Sequence, residues 1–246
     1  MVPRRPRMEP ADFVLRFLES ISSPSEAEFY LGLFRALPKE RFAVISVAAS
    51  VARYATEAVV LDLRFLAALG LYPVVVVGLF DAGEAAEHAA RIARLLAREG
   101  VRSVSIAPDA LDLDWQAAEA ACSGALPIVA FARDEAGPYP TIDHRVDRLG
   151  ALLAALATRK MIFLDRRGGI TQRGARVEVV NLTTDEAGLV ASRDLLRKQK
   201  QLIAQSRRLV LELVPHRLLV SIPSPLDLLR ELFSTKGAGT LLRRGA

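Results

Sequence analysis

Residues 41–51, RFAVISVAASV, constrain the fold more than any other stretch of the chain. Phe42, Val44, Ile45 and Val47 form a short apolar run rich in β-branched residues. Such a run suits a strand buried on both faces, the kind found in a parallel sheet. It leads into Ala48-Ala49-Ser50, small residues fit for a tight turn into a helix. Where α/β proteins hold phosphate, a turn at this place carries glycine, which lets backbone N–H groups approach, and a lysine to neutralise charge. Here Ser46 stands in the strand and Ala48 and Ala49 in the turn. The expectation is the scaffold of a phosphoryl site without its chemistry.

The rest of the chain repeats the strand–helix alternation. Residues 56–69 read as a helix ended by Gly70, and YPVVVVGL at 72–79 as the most apolar strand. Helices over 84–98, 113–123 and 146–158 alternate with strands over 101–106, 126–131 and 160–164. That order predicts an α/β fold, an open, mainly parallel αβα sandwich. The second half changes style. A hairpin is expected over 171–179 around Gly174, then a basic amphipathic helix over 194–206. Short strand or helix candidates follow at 210–213 and 217–222, then a helix at 225–233 and a last strand at 240–243. Two helical stretches precede the first strand, with Phe13, Phe17, Phe29, Tyr30 and Phe34 on their apolar faces. The domain reading is an N-terminal helical arm over 1–38 and one α/β domain over 39–246. The arm reads equally as an oligomer contact or as packing on its own domain.

Composition removes several function classes. No apolar run reaches the roughly 20 residues a membrane helix needs, and MVPRRPRMEP is not followed by the apolar core of a secretory signal. A cytoplasmic location is expected, with no membrane partner. Cys122 is the single cysteine, and His88, His144 and His216 are scattered, so no metal site is expected. A net charge of +5 over 246 residues permits anionic ligands without implying nucleic acid. The basic face over 193–208 lacks interleaved aromatics and reads as a solvated helix face rather than a nucleic-acid contact. Arg166-Arg167-Gly168-Gly169 reads either as a solvated turn or as a phosphate contact, with Gly168 and Gly169 the candidate nucleotide-binding residues.

Three stretches carry a family resemblance. They are LESISSPSEAEFYLGLFRALPKERFAVISV, then RKMIFLDRRGGI with VEVVNLTTDE, and, most specifically, SIPSPLDLLRELFSTKGAGTLLRRG. Together they resemble the amino-acid kinase domain of N-acetylglutamate kinases, and especially of the bifunctional N-acetylglutamate synthase/kinases of arginine biosynthesis. The resemblance implies an open, mainly parallel αβα sandwich, in agreement with the alternation.

Position by position, the resemblance implies lost chemistry. The family's first strand ends Lys-x-Gly-Gly; this chain has Ser46-Val47-Ala48-Ala49. Its second strand enters a glycine-rich turn; here Gly78 is followed by Leu79, Phe80 and Asp81, and the substrate-covering hairpin reads as deleted. The acidic residue that orients the family's lysines has Asp147 as its nearest equivalent, and the second catalytic lysine has Lys198. Both are degenerate matches, because the flanking asparagines and glycines are absent. Phosphoryl transfer depends on positioning and charge neutralisation. The expectation is therefore a noncatalytic homologue, a pseudokinase used for regulation or oligomerisation, without a cofactor. The alternative is an active acetylglutamate kinase using ATP and Mg²⁺. In arginine-sensitive members the effector lies against the C-terminal Glu…Gly-x-Gly-Thr region, which Glu231, Gly237, Gly239 and Thr240 match. Glu231 also reads as an exposed helix carboxylate, and the glycines as turn residues. The implied partners are further copies of the chain, L-arginine, and a separate N-acetyltransferase, since bifunctional members continue past the point where this chain stops at Ala246.

Overall fold

Strand β1, Val44–Val47, lies at the centre of an eight-stranded sheet, hydrogen-bonded in parallel to β2, Val74–Val77, and β5, Lys160–Leu164. The protein is described by a computed structural model covering residues 42–132, 139–234 and 237–245, with Ser25, Phe29, Gly32, Leu33 and Ala36 described singly. The expected arm over 1–38 lies, those five residues apart, outside the described residues.

The side chains of β1, β2 and β5 alternate between two apolar layers, as a period of two residues requires. Ile45, Val47, Val75, Val77, Ile162 and Leu164 enter one core. Val44, Val74, Val76, Met161 and Phe163 enter the other. Helices cover both faces. The first core is closed by α1 (Ala49–Tyr54), α2 (Thr56–Ala68) and α3 (Ala85–Arg98). The second is closed by α4 (Leu113–Cys122) and α5 (Ile142–Ala155) together with later elements. Beyond β2 the sheet continues in parallel through β4, Leu126–Ala130, to β3, Ser103–Ile106, at the edge. The expected α/β sandwich is the observed fold.

Several boundaries differ from the pattern reading for local reasons. Helix α5 begins at Ile142 rather than 146, because Thr141 caps it through its hydroxyl, which accepts from His144 N–H at 3.4 Å. The hairpin β6 (Thr171–Gln172) to β7 (Ala175–Arg176) turns at Arg173-Gly174, both with positive φ, as a two-residue turn demands. Its continuation forms two elements that periodicity did not give, β8 (Val179–Asn181) and α6 (Glu186–Ala191). The basic helix α7 spans Arg197–Arg208 and runs on into a π-helical turn, Leu209–Leu213, in place of a separate element. Strand β9, Leu219–Ile222, pairs in parallel with β5. A 3₁₀ turn, Pro225–Asp227, leads to α8, Leu228–Phe233. Strand β10, Thr240–Arg243, then returns antiparallel to β9 and carries β8 on its far side. The order β3-β4-β2-β1-β5-β9-β10-β8 is mixed only at this edge.

Burial on α2 has a measurable consequence. Asp62 is partly buried, and desolvation pushes its carboxyl up to about 7. A raised acid keeps its proton in the folded chain where the unfolded chain has lost it. The stability it supports is complete below the unfolded value near 4 and is lost as pH rises through about 7. Urea unfolding should therefore give lower stability at pH 8 than at pH 5, by about 3 kcal/mol or less. Asp62→Asn should flatten that dependence; an unchanged slope in the variant would remove Asp62 as its source.

Candidate functional site

In open α/β sheets ligands sit outside the C-terminal ends of the parallel strands. At those ends of β1, β5 and β9 lies a cavity of about 400 Å³ lined by Ser50, Asp165, Arg166, Lys198, Gln199 and Ile222, among others. The β5 turn forms its floor. Asp165 Oδ1 accepts from Arg167 N–H at 3.0 Å, and Gly168 N–H donates to Asp165 O at 3.0 Å. Lys198, in the first turn of α7, places Nζ 2.8 Å from Asp165 Oδ2. Gln199 donates to Gly169 O at 3.4 Å and draws α7 over the turn. Arg166 reaches across the mouth to stack on the Tyr54 ring of α1, 5.0 Å from its centroid. The cavity thus holds three cations, Arg166, Arg167 and Lys198, against one carboxylate, Asp165.

The first strand adds no charge to it. Ser46 is buried within β1, beside Val76 and Phe163 in the register. The turn needs no glycine. Ala48 has φ −65° and ψ 147°, its N–H donates to Leu164 O at 3.3 Å, and its carbonyl caps α1. The turn after β2 does need one. Gly78 has φ +82°, and a Cβ there would lie 2.5 Å from Phe131 O. After it, Phe80 packs edge-on against Phe163, with 5.5 Å between centroids. Arg145 secures this turn from beneath, its Nε donating to Leu79 O at 2.8 Å and Nη1 to Tyr139 O at 3.1 Å. Burial lowers the Arg145 pKa, and the charge of Asp81 opposes that shift.

The sequence-predicted site residues divide into three groups. Lys198, Gly168 and Gly169 do meet at one turn, and Lys198 and Gly169 line the cavity. Asp147 does not join them. It lies on α5 and pairs at 2.7 Å with Arg208 in the last turn of α7, roughly 15 Å along the helix from Lys198. The carboxylate facing Lys198 is Asp165 instead, a residue the motif reading passed over. Its signal was visible as a lone acid between an apolar strand and an arginine pair. Half of the six basic residues over 193–208 are paired within the chain, by Asp165 on Lys198, Glu212 on Arg207, and Asp143 and Asp147 on Arg208.

Glu231, Gly237, Gly239 and Thr240 form the third group, at the β9–β10 edge. Glu231 is not an exposed helix carboxylate; it is 6% exposed. Its Oε2 accepts from Ala238 N–H at 2.8 Å, and Lys160 Nζ lies 3.2 Å from Oε1 while donating to the Glu231 carbonyl at 2.8 Å. Gly239 passes so close to β9 that a Cβ would fall 2.2 Å from Ile222 O. The Thr240 hydroxyl donates to Val177 O at 2.6 Å and accepts from Ile170 N–H at 2.8 Å. The four residues fold the C-terminal edge onto the β5 turn. Among the described residues no group of histidine, cysteine and carboxylate side chains could hold a metal ion, and no helix is long and apolar enough to cross a membrane.

No family model matches the chain. Individual relatives do. Acetylglutamate kinase of Xanthomonas campestris is 29% identical over 92% of this chain and 64% of its own length. The mitochondrial protein arg-6 of Neurospora crassa is 28% identical over 95% of this chain and 32% of its own length. The chain is a homologue of the acetylglutamate kinase and synthase family. It spans about a third of that fungal relative and just under two thirds of that kinase. N-acetylglutamate synthase from Neisseria gonorrhoeae, solved with coenzyme A and L-arginine, shares the fold. It superposes with a TM-score of 0.65 at 16% identity, over 90% of this chain and 65% of that one.

Replacing Glu231 tests the edge directly. Glu231→Ala removes the carboxylate from Lys160, which keeps only the main-chain carbonyl of residue 231, and leaves the Ala238 amide without its acceptor. Because Lys160 is partly solvated, the expected loss is about 2–3 kcal/mol in chemical denaturation rather than the larger cost of a fully buried pair. A loss under about 0.5 kcal/mol would mean the edge holds without it.

Proposed function

We propose that the chain is a noncatalytic homologue of the acetylglutamate kinases, acting as a regulatory or oligomerisation subunit in arginine biosynthesis. The observation that carries this is the partnering of its surviving catalytic matches: Lys198 is tied to Asp165, and Asp147 to Arg208 at the other end of α7. Phosphoryl transfer needs cations and an orienting carboxylate converging on the transferring group. Ser46, Ala48 and Ala49 leave the first strand without a lysine, and Phe80 packs on Phe163 where the family carries a glycine-rich turn. A cytoplasmic location is part of this reading, although the Neurospora relative is named as mitochondrial.

One observation favours an active kinase instead. Arg166, Arg167 and Lys198 still line a cavity at the strand ends where a phosphate chain would fit. ADP release in the presence of ATP, Mg²⁺ and N-acetyl-L-glutamate separates the two. Turnover should not exceed a protein-free control; substrate-dependent turnover abolished by Lys198→Ala would overturn the noncatalytic reading.

The regulatory arm takes L-arginine as effector, by likeness to the synthase solved with it. The guanidinium would replace Lys160 at Glu231, a charge-for-charge exchange, with the backbone at Gly237–Gly239 facing the amino acid. Arginine should then raise the melting temperature, lysine much less, and Glu231→Gln should cancel the difference; binding at a hundred times Kd is worth about 2.7 kcal/mol. No arginine-specific rise at millimolar concentration removes this arm. The oligomerisation arm rests on Phe29 and Leu33, 65% and 46% exposed. Light scattering should report an oligomer that loses mass when residues 1–38 are removed, and a full-length monomer at micromolar concentration would exclude it.

A further inference from the structure

The opposite end of the sheet carries a second cleft. Strand β9 joins the two: Ile222 at its C-terminal end lines the Asp165 cavity, and Leu219 at its start lines this one, roughly 10 Å away. The cleft encloses about 390 Å³, within the range of small-molecule sites. Val210, Pro215 and Leu218 give it an apolar wall, and Arg217, Arg243 and Arg244 give it a strongly positive rim.

The rim cations are not equivalent. Arg244 is committed, its Nη2 donating to Val210 O at 3.2 Å and to Leu211 O at 3.4 Å. It thereby caps the carbonyl end of α7 and its π-helical turn, where a cation is favoured. His216 is anchored too, with Nε2 2.7 Å from Thr158 O, which can only accept. Arg217 and Arg243 differ. Neighbouring Arg207 and Arg208 each have a carboxylate within 2.7 Å or closer, while Arg217 and Arg243 have none among the described residues. The antiparallel pairing of Leu242 with Val220 brings Arg243 opposite Leu219, two residues from Arg217. Two unspent guanidinium groups therefore flank one cleft whose wall is apolar. A π-helical turn, a feature concentrated at functional sites, forms part of that wall.

We propose that this cleft binds a small organic anion, gripped by Arg217 and Arg243 and backed by the apolar wall. Carboxylate and phosphate both offer the pair of oxygens that a guanidinium fork matches, so either group can supply the contact. This site is separate from the Asp165 cavity and from Glu231.

Calorimetry and thermal melts with citrate and with inorganic phosphate, against chloride at equal ionic strength, test the proposal on the full chain. The wild-type protein and Lys198→Gln should both bind at least one of the two probes and melt higher with it than in chloride. The double variant Arg217→Gln/Arg243→Gln should lose affinity about 10-fold or more. Both arginines are exposed, so circular dichroism should show the variant folded. Citrate binding alone assigns a carboxylate site, and phosphate binding alone a phosphate site. Affinity unchanged in the double variant, affinity lost in Lys198→Gln, or neither probe exceeding chloride would each overturn the proposal.

Discussion

The structure depends on the burial of β1 on both faces. A strand in parallel register with β2 and β5 satisfies its backbone on both sides, and its alternating side chains then belong to two different cores. Each helix layer follows from one of those cores. So does the position of the candidate site, because parallel strands bring their C-terminal turns to one end. Ser46 shows the same constraint at work on chemistry. In a fully buried strand a small hydroxyl is accommodated, and the turn beyond it closes on ordinary alanine conformations.

The site is consequently organised from the β5 side. Asp165 both shapes its own turn, by accepting from Arg167 N–H, and fixes Lys198 above it. The pair is partly solvated, with the lysine side chain 47% exposed, so it orients more than it stabilises. Around it Arg166 and Arg167 leave the cavity positive. The C-terminal edge is organised by burial instead. Glu231, nearly sealed, accepts a backbone amide and faces Lys160 of β5, and that is how the return of β10 is fastened to the parallel part of the sheet. Glu231 is at once a structural clasp and the carboxylate that the effector reading requires, which is why thermal stability and arginine response are informative together.

Homology and geometry bear on different questions. Identity of 28–29% over more than nine tenths of the chain accounts for the fold. It does not fix the fate of individual functional positions. There the partners decide. Asp147 would look equivalent to an orienting acid on alignment alone, but α5 presents it to Arg208.

The sequence by itself determined the order of strands and helices, because side-chain periods of 2 and 3.6 are local properties of the backbone. It also determined that the first strand and its turn carry Ser46, Ala48 and Ala49, with no lysine and no glycine, since these residues can be read directly. Tertiary structure alone decided the pairings. That Lys198 faces Asp165 rather than Asp147, that Glu231 is buried against Lys160, and that Arg217 and Arg243 share a cleft all depend on long-range packing. So do β8 and α6, which are too short for periodicity to reveal and exist because β10 and α7 give them surfaces to rest on. Contacts between distant residues carry no period in the chain, and only the assembled sheet brings them within reach.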